Sequence, residues 1–487
     1  MDKFDTRTKR QAKGDNEVFT GGERNELAPT SGHKMDSEEA RGELRKLLEW
    51  YYHEKDKQAT NRLEMAMDCD FYDNMQWDPE DAQVLRDRGQ MPLVYNEIAP
   101  MVDWLIGTER RTRVDWRVMP RAEDDVELAD VKTKVLKFVS DINRVPFNRS
   151  RAFADAVKAG VGWIDDGVRD DPTQDALYSK YEDWRNVLWD SSSYEHDLSD
   201  ARYLFRWRWV DEDVALMMFP DREDAIRRAV EDSQHASMSD WEEDTWYTAE
   251  ELLSGATNGT VRASGTGMMI DAKRRRVKLI EAQYRKPAKS KIIVDGPLKG
   301  TFFNQSDGAL MNALGQVGGS IIDKVVMRVH IAVFTESHML GMGPSMFRHN
   351  RFSLTPVWCY RRGRDRLPYG VIRRVRDIQQ DLNKRASKAL WMLNTNQIIA
   401  DEGATDDWSS LRDEADRPDG LLIKKAGKEL TLRRDTDAAT GQIQMMTLDA
   451  QSIQKSAGVS QENMGPLRGQ TAQRLRRPDQ SPEGPRR

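Results

Sequence analysis

The chain has 487 residues, 38% of them hydrophobic and 32% charged, with a formal net charge of −6. That length allows two to four domains, each able to bury its own core, and so polar a composition puts much of the chain on surfaces or in extended arms. An acidic total argues against a protein that coats nucleic acid non-specifically, because such binding neutralises phosphates with a basic excess. Two cysteines, Cys69 and Cys359, stand far apart and outside any CxxC pair, which argues against a disulfide framework and a zinc cluster. No apolar run approaches the ~20 residues that span a bilayer, and the start "MDKFDTRTKRQAKGDNEVF" lacks a signal-peptide core. The expectation is a soluble protein made in the cytoplasm.

Residues 1–36 are polar without an apolar period and read as a disordered arm. From Ser37, Leu44, Leu47, Leu48 and Tyr51 fall at helical spacing behind an acidic first turn, which predicts a helix. A second helix is predicted over "NEIAPMVDWLIGTERR", with Pro100 near its start. A third carries the stripe Leu128, Val131, Val135, Phe138 and Ile142 behind Glu123, Asp124 and Asp125, and Pro146 is expected to end it. Residues 146 to about 290 read as an α/β region, with "YLFRWRWV" and "RVKLIEAQYR" as strands. "VVMRVHIAVFT" is a further strand, followed by a loop at Gly341, Gly343 and Pro344 and then by "LTPVWCYRR".

"GVIRRVRDIQQDLNKRASKALWML", from Gly370, reads as a long helix. Val371, Val375, Ile378, Leu382, Ala386, Ala389 and Leu393 step by threes and fours along one face, and Arg373, Arg374, Arg376, Lys384, Arg385 and Lys388 occupy the others. On pattern alone a surface helix on a globular core is the simpler account. Beyond it, "NQIIADE" and "GLLIKKAGKELTLRR" predict a small β module with a hairpin about Ala426–Gly427. "QIQMMTLDAQSIQKSAG" predicts a second helix with Ile443, Met446, Ala450 and Ile453 on one side. From Pro466 the chain is Arg/Pro-rich and reads as disordered.

Catalytic motifs are missing from the sequence. There is no GxxxxGK[ST] phosphate loop, and "GMG" at Gly341–Gly343 lacks the third glycine of a dinucleotide loop. "DDGVRDDPTQD" matches a calcium loop in acid count only. The seven histidines form no HExxH, and the acid pairs Asp165–Asp166 and Asp406–Asp407 are common features of an acidic chain. No catalytic residue, metal site or cofactor is expected. "KRRRVK" at Lys273–Lys278 reads as a charged lead into a strand.

The run from Phe347 to Ile399, "FRHNRFSLTPVWCYRRGRDRLPYGVIRRVRDIQQDLNKRASKALWMLNTNQII", resembles the portal proteins of short-tailed, P22-type bacteriophages. "YNEIAPMVDWLIGTERRTRVDWRVMP" and "LWDSSSYEHDLSDARYLFRWRWV" resemble the same family's N-terminal region, so the likeness spans roughly residues 40–465. The resemblance implies an α+β portal fold with a wing (37–367), a two-helix stem (368–393 and 437–457) and a clip inserted between the stem helices (394–436). It implies a structural protein and not an enzyme: a ring of twelve subunits at one capsid vertex of the virion, made in the host bacterial cytoplasm, with double-stranded DNA passing through its channel. The partners it implies are the large terminase subunit, a head-to-tail adaptor, coat and scaffolding proteins, and no membrane. On this reading the stem stripe packs helix on helix, the stem charges face the channel or neighbouring subunits, and Trp408 and Leu411 of the clip dock the motor or adaptor. The likeness stops after "GVSQENMG" (Gly458–Gly465), where a channel loop, long wing helix and crown are expected and the Arg/Pro-rich tail stands instead. Two alternatives from other classes are a DNA-processing enzyme of the packaging machinery, nuclease or terminase-like, and a head–tail adaptor. The first would show an ATP-binding loop or a convergent carboxylate cluster, and the sequence has neither; the second would lack the wing-sized region that stands before residue 340.

Overall fold

The structure, a computed structural model, describes residues 34–113, 116–121, 125–169, 173–235, 275–296, 298–300, 302–303, 308–347, 349–394, 397–405, 407–415, 421–433 and 436–458. The expected arm, apart from residues 34–36, and the expected tail lie outside the described residues. In chain order the helices are α1 (Glu38–Tyr72), α2 (Pro79–Asp87), α3 (Ile98–Arg111), α4 (Val126–Ile142), α5 (Val145–Ala159), α6 (Glu212–Met218), α7 (Glu223–His235), α8 (Gly308–Val317), α9 (Arg376–Asn394), α10 (Trp408–Ala415) and α11 (Thr436–Ala457). The strands are β1 (Val161–Val168), β2 (Leu177–Glu182), β3 (Val187–Trp189), β4 (Tyr203–Asp211), β5 (Arg276–Ile293), β6 (Ile321–Phe334), β7 (Met339–Pro344), β8 (Leu354–Trp358), β9 (Tyr360–Arg361), β10 (Pro368–Tyr369), β11 (Gln397–Ala400) and β12 (Leu430–Arg433). Mixed helix and sheet of this kind is an α+β protein. The chain divides into two compact units, residues 1–67 with 110–370, and residues 68–109 with 371–487.

The first unit is built on an antiparallel five-stranded sheet in the order β3-β4-β5-β6-β7. Strand alternation sends Tyr203, Phe205 and Trp207 of β4 to one face, where they meet Leu44, Leu47 and Tyr51 of α1. The opposite face takes α6 and α7 through Val210, Ile226, Val230 and Leu279. The buried face of α1 keeps a strict three-and-four step, Ala40, Leu44, Leu47, Tyr51, Glu54, Gln58, Asn61 and Met65, but turns polar halfway along. Each polar member has partners. Glu54 accepts from the Tyr203 hydroxyl (2.9 Å) and the Ser191 hydroxyl (3.2 Å), and Gln58 donates to the Trp189 carbonyl (2.7 Å). Burial, followed by the Glu54 charge, pushes the Tyr203 hydroxyl well above its ordinary pKa.

A second, three-stranded sheet, β2-β1-β8, carries Asp165 and Glu182. Arg206 of β4 donates to Asp165 (2.7 Å) and to Glu281 of β5, and lies 3.6 Å from Glu182. All four side chains are buried. Burial alone would lower the Arg206 pKa, yet the charges of Glu281 and Glu182 outweigh it and hold the guanidinium above its ordinary value. Ser353 adds a hydroxyl bond to Asp165 (2.8 Å), and Gln283 joins Ser353 to Glu281. Against the other side of this sheet lies α5, which approaches β1 so closely that a Cβ on Gly162 would overlap the Ala152 carbonyl.

Four expectations are corrected in this unit. Pro146 does not end a helix: α4 stops at Ile142, and Pro146 sits in the first turn of α5, where its missing N–H costs nothing. Gly341, Gly343 and Pro344 lie in strand β7, because an edge strand tolerates residues that a central strand would reject. Lys34–Asp36, placed in the arm, form a 3-10 turn with Met35 buried and Asp36 bridged to Arg222 at 2.7 Å. The α4 stripe is exposed at every position from Leu128 to Ile142.

Two predictions follow from this packing. Gly162→Ala forces α5 away from β1 and should destabilise the unit by about 1–3 kcal/mol, read by denaturant unfolding. The second concerns Asp155 of α5, which accepts from the Tyr181 hydroxyl of β2 at 2.5 Å. Burial pushes the Asp155 carboxyl up to about 7 from its ordinary 3.8, against the opposing pull of the Tyr181 hydrogen bond. A carboxyl raised in the folded state binds more protons there than in the unfolded chain, so its contribution is complete below about pH 4 and is lost as the pH rises through about 7. Asp155→Asn should flatten that decline in a series of unfolding midpoints across the same pH range.

Candidate functional site: a helix pair around a small β insertion

In the second unit α9 and α11 pack together and bracket a small insertion. Asp377 sits in the first turn of α9, at the positive end of the helix dipole. Just before α9, Ile372–Arg374 form a 3-10 turn, and Arg373 and Arg376 both reach Asp68, at 2.8 Å and 3.0 Å. Asp68 is fully buried, so this pairing is what makes its ionised form tolerable. Earlier still, Pro368–Tyr369 pair with β9 as a strand, so the long helix begins at Arg376 and not at the start of the "GVIRR" run.

The predicted stripe residues Val371, Val375, Leu382, Ala386 and Ala389 are buried, Ile378 is half-buried and Leu393 is exposed. Of the predicted charges, Arg373 and Arg376 meet Asp68, Arg385 meets Asp381 (2.8 Å) and Asp449 (3.2 Å), and Lys384 lies 3.4 Å from Asp81. Arg374, Lys384 and Lys388 are exposed. Arg385 also donates to Gln442 at 3.3 Å, and this draws a polar row of α11 inward. The inward row is therefore Ala439, Gln442, Met446, Asp449 and Ile453, while Ile443, expected on that side, is exposed. Burial and the nearby Asp381 charge raise the Asp449 carboxyl above its ordinary value, with Arg385 opposing them.

A second face of α9 was not singled out by apolar spacing. Gln379, Asn383 and Ser387 are buried at steps of four. They accept from the backbone N–H groups of Glu97 (3.2 Å), Tyr95 (2.9 Å) and Leu93 (2.9 Å). Gln379 also donates to the Tyr95 carbonyl (2.6 Å), and Asn383 donates to Gln76 (2.7 Å). The match is geometric: four helical residues advance about 6.0 Å and two extended residues about 6.6 Å. The helix thus substitutes for a neighbouring strand. Asn96 completes the join by capping α3, accepting from Ile98 (3.1 Å) and Ala99 (3.0 Å), while its amide donates to the Tyr72 carbonyl (3.0 Å). The sequence signal is an uncharged polar residue at every fourth position, Gln379, Asn383 and Ser387.

The insertion holds β11 and β12 as an antiparallel pair, Gln397 opposite Arg433 and Ala400 opposite Leu430, with α10 between them in sequence. Asp407 caps α10, accepting from the Ser409 hydroxyl (2.7 Å) and the N–H groups of Ser409 (3.0 Å) and Ser410 (3.2 Å). Those bonds, the Ser409 hydroxyl first, hold its carboxyl below the usual range. Ala426–Gly427 form a turn, with Gly427 at φ 83°, but no hairpin. The Lys425 backbone N–H donates to the Ala404 carbonyl (3.0 Å) instead, and β11 supplies the partner for β12. Trp408 is exposed, and Leu411, predicted beside it for docking, is buried.

The chain matches the family model of the phage P22-like portal protein over residues 48–475, and it belongs to that family. It is a bacteriophage portal subunit, with the family's role in packaging the genome through a channel. No curated protein matches it. Among the described residues no helix is long and apolar enough to cross a membrane.

Asn383→Leu keeps the branched outline but removes the acceptor for Tyr95 and the donor to Gln76. It should cost about 1–3 kcal/mol and accelerate hydrogen exchange at the Tyr95 amide, read by mass spectrometry or NMR.

Proposed function

We propose that this chain is a structural subunit, without catalytic activity, of a twelve-membered portal ring. In that ring α9 and α11 form the stem, and residues 394–436 form a clip that docks the terminase motor and a head-to-tail adaptor. The observation that carries this reading is the family match across residues 48–475, which includes a packed helix pair bracketing a small β insertion. Nothing in the comparison supports the DNA-processing alternative. The five buried stripe residues serve packing within the subunit, whereas Leu393 remains available to a neighbouring one. Arg374, Lys384 and Lys388 are the exposed stem cations, turned toward the channel or a neighbour on this reading. Trp408 is the clip anchor, and Leu411 supports it from the interior. Coat and scaffolding proteins meet the assembled ring at the capsid vertex.

The acidic total has a use on this reading. Weak phosphate contacts let a moving duplex slide, where a basic lining would hold it.

Light scattering with negative-stain imaging of the purified chain should show rings of about twelve subunit masses; a strictly monomeric chain would count against the reading. Duplex DNA should bind the rings weakly at physiological salt, and tight, salt-resistant binding in a filter or anisotropy assay would refute the sliding channel. Trp408→Ala should leave rings intact and weaken capture of the large terminase subunit by tenfold or more, in line with loss of an aromatic anchor of about 2 kcal/mol.

A further inference from the structure

Two apolar surfaces of the first unit are left uncovered by the described residues. One is the α4 stripe: Leu128, Val131, Val135, Phe138 and Ile142 are between 39% and 62% exposed. α4 holds to its unit through Ala129, which is buried, and Thr133, whose hydroxyl accepts from Val118 N–H at 3.0 Å. At about 100° per residue the stripe lies roughly opposite those two residues and points away from the unit. A 17-residue helix with so little of its apolar face buried depends on packing that the described residues of its own unit do not supply.

The other surface is the distal end of the β5–β6 ribbon. Register pairs Lys291 with Asp323, Lys289 with Val325 and Pro287 with Met327, so these side chains share one face with Ile321. Ile321, Val325 and Met327 are between 38% and 60% exposed, and Lys289 and Lys291 are exposed beside them. The two surfaces match in length and in charge. α4 extends for about 25 Å, and the ribbon from Ile321 to Met327 for about 20 Å. On one side of the α4 stripe Glu127, Asp130 and Asp141 outnumber Lys134 and Lys137, which leaves an acidic excess opposite in sign to the ribbon lysines.

A ring contact is head to tail, so each subunit must present two different patches that fit one another. We propose that the α4 face of one subunit seats the distal β5–β6 ribbon of the next, with Lys289 and Lys291 against the acidic flank of α4. The occupant of the α4 face is thus a second copy of this chain. This rests on the ring reading above and adds to it the pair of surfaces that closes the ring.

The test is cross-linking in the full-length chain. Val135→Cys and Val325→Cys are made singly and together, and assembled material is treated with a short bis-maleimide. The double variant should give a ladder of covalent dimers, trimers and larger species on a denaturing gel, and neither single variant should do so above the background of Cys69 and Cys359. Rings that give no ladder, a link confined within one subunit, or a ladder from Val135→Cys alone would each overturn the pairing while leaving the ring intact. An unsubstituted chain that stays monomeric would overturn the ring reading itself. Phe138→Glu adds a second readout: its monomer should melt as the unsubstituted chain does, because the site is already exposed, while ring yield falls at least tenfold. Unchanged ring yield would count against the contact.

Discussion

Arg206 is the interaction on which the first unit depends. One guanidinium, fully buried, meets Asp165 from the three-stranded sheet and Glu281 from the five-stranded one, so the two sheets are joined by charge at a place where most proteins use apolar contact. Such a cluster is weak evidence for stability, since desolvating the ions offsets much of their attraction. What it supplies is alignment. A one-residue slip of β4 would turn Arg206 toward α1 and bring Phe205 against two carboxylates, a costly exchange on both faces. The aromatic residues and the arginine therefore specify one register together, and the long β5–β6 ribbon inherits that register through its pairing with β4.

The second unit is held by polar groups in a similar way. Gln379, Asn383 and Ser387 pair with alternate backbone amides of an extended segment, and Arg385 pulls Gln442 and Asp449 toward α9. Apolar contact alone would let two helices slide along or rotate about each other with little change in buried area. A ladder of directional bonds does not, because each bond fails beyond a few tenths of an ångström. The helix pair is thereby fixed in rotation as well as in register.

The periodic elements were legible in the sequence. The Leu44–Tyr51 spacing marked α1, "YLFRWRWV" marked β4, and the step of threes and fours after Arg376 marked α9, because each pattern records burial on one face. What escaped depended on partners distant in sequence. The polar continuation of α1 through Glu54, Gln58 and Asn61 carries no hydropathy signal, since its partners come from residues 189–203 and 368. Ile443 reads as core by spacing but is exposed, because Arg385 selects a row of α11 about 100° away. The β7 residues look like a loop until the edge position that tolerates them is known. Of the candidate site, the helix pair could be read directly; the different exposure of Trp408 and Leu411, proposed together for docking, could not, because it depends on how α10 sits on the insertion.

The α4 stripe was also legible as a pattern, and its outcome is informative for that reason. Apolar residues at helical spacing imply burial, and among the described residues of the single subunit that burial is absent. For a monomeric protein this would be an unstable arrangement. For a chain whose family works as an assembly, it divides the apolar residues into those that fold the subunit and those that hold subunits together. The division falls along physical lines. Residues that face the Arg206 sheets are locked by directional charge and aromatic contacts, whereas the α4 and ribbon residues carry only shape, apolar area and flanking charge. Contacts of that second kind tolerate small adjustments of angle, and a ring that must close on itself needs such tolerance at each joint.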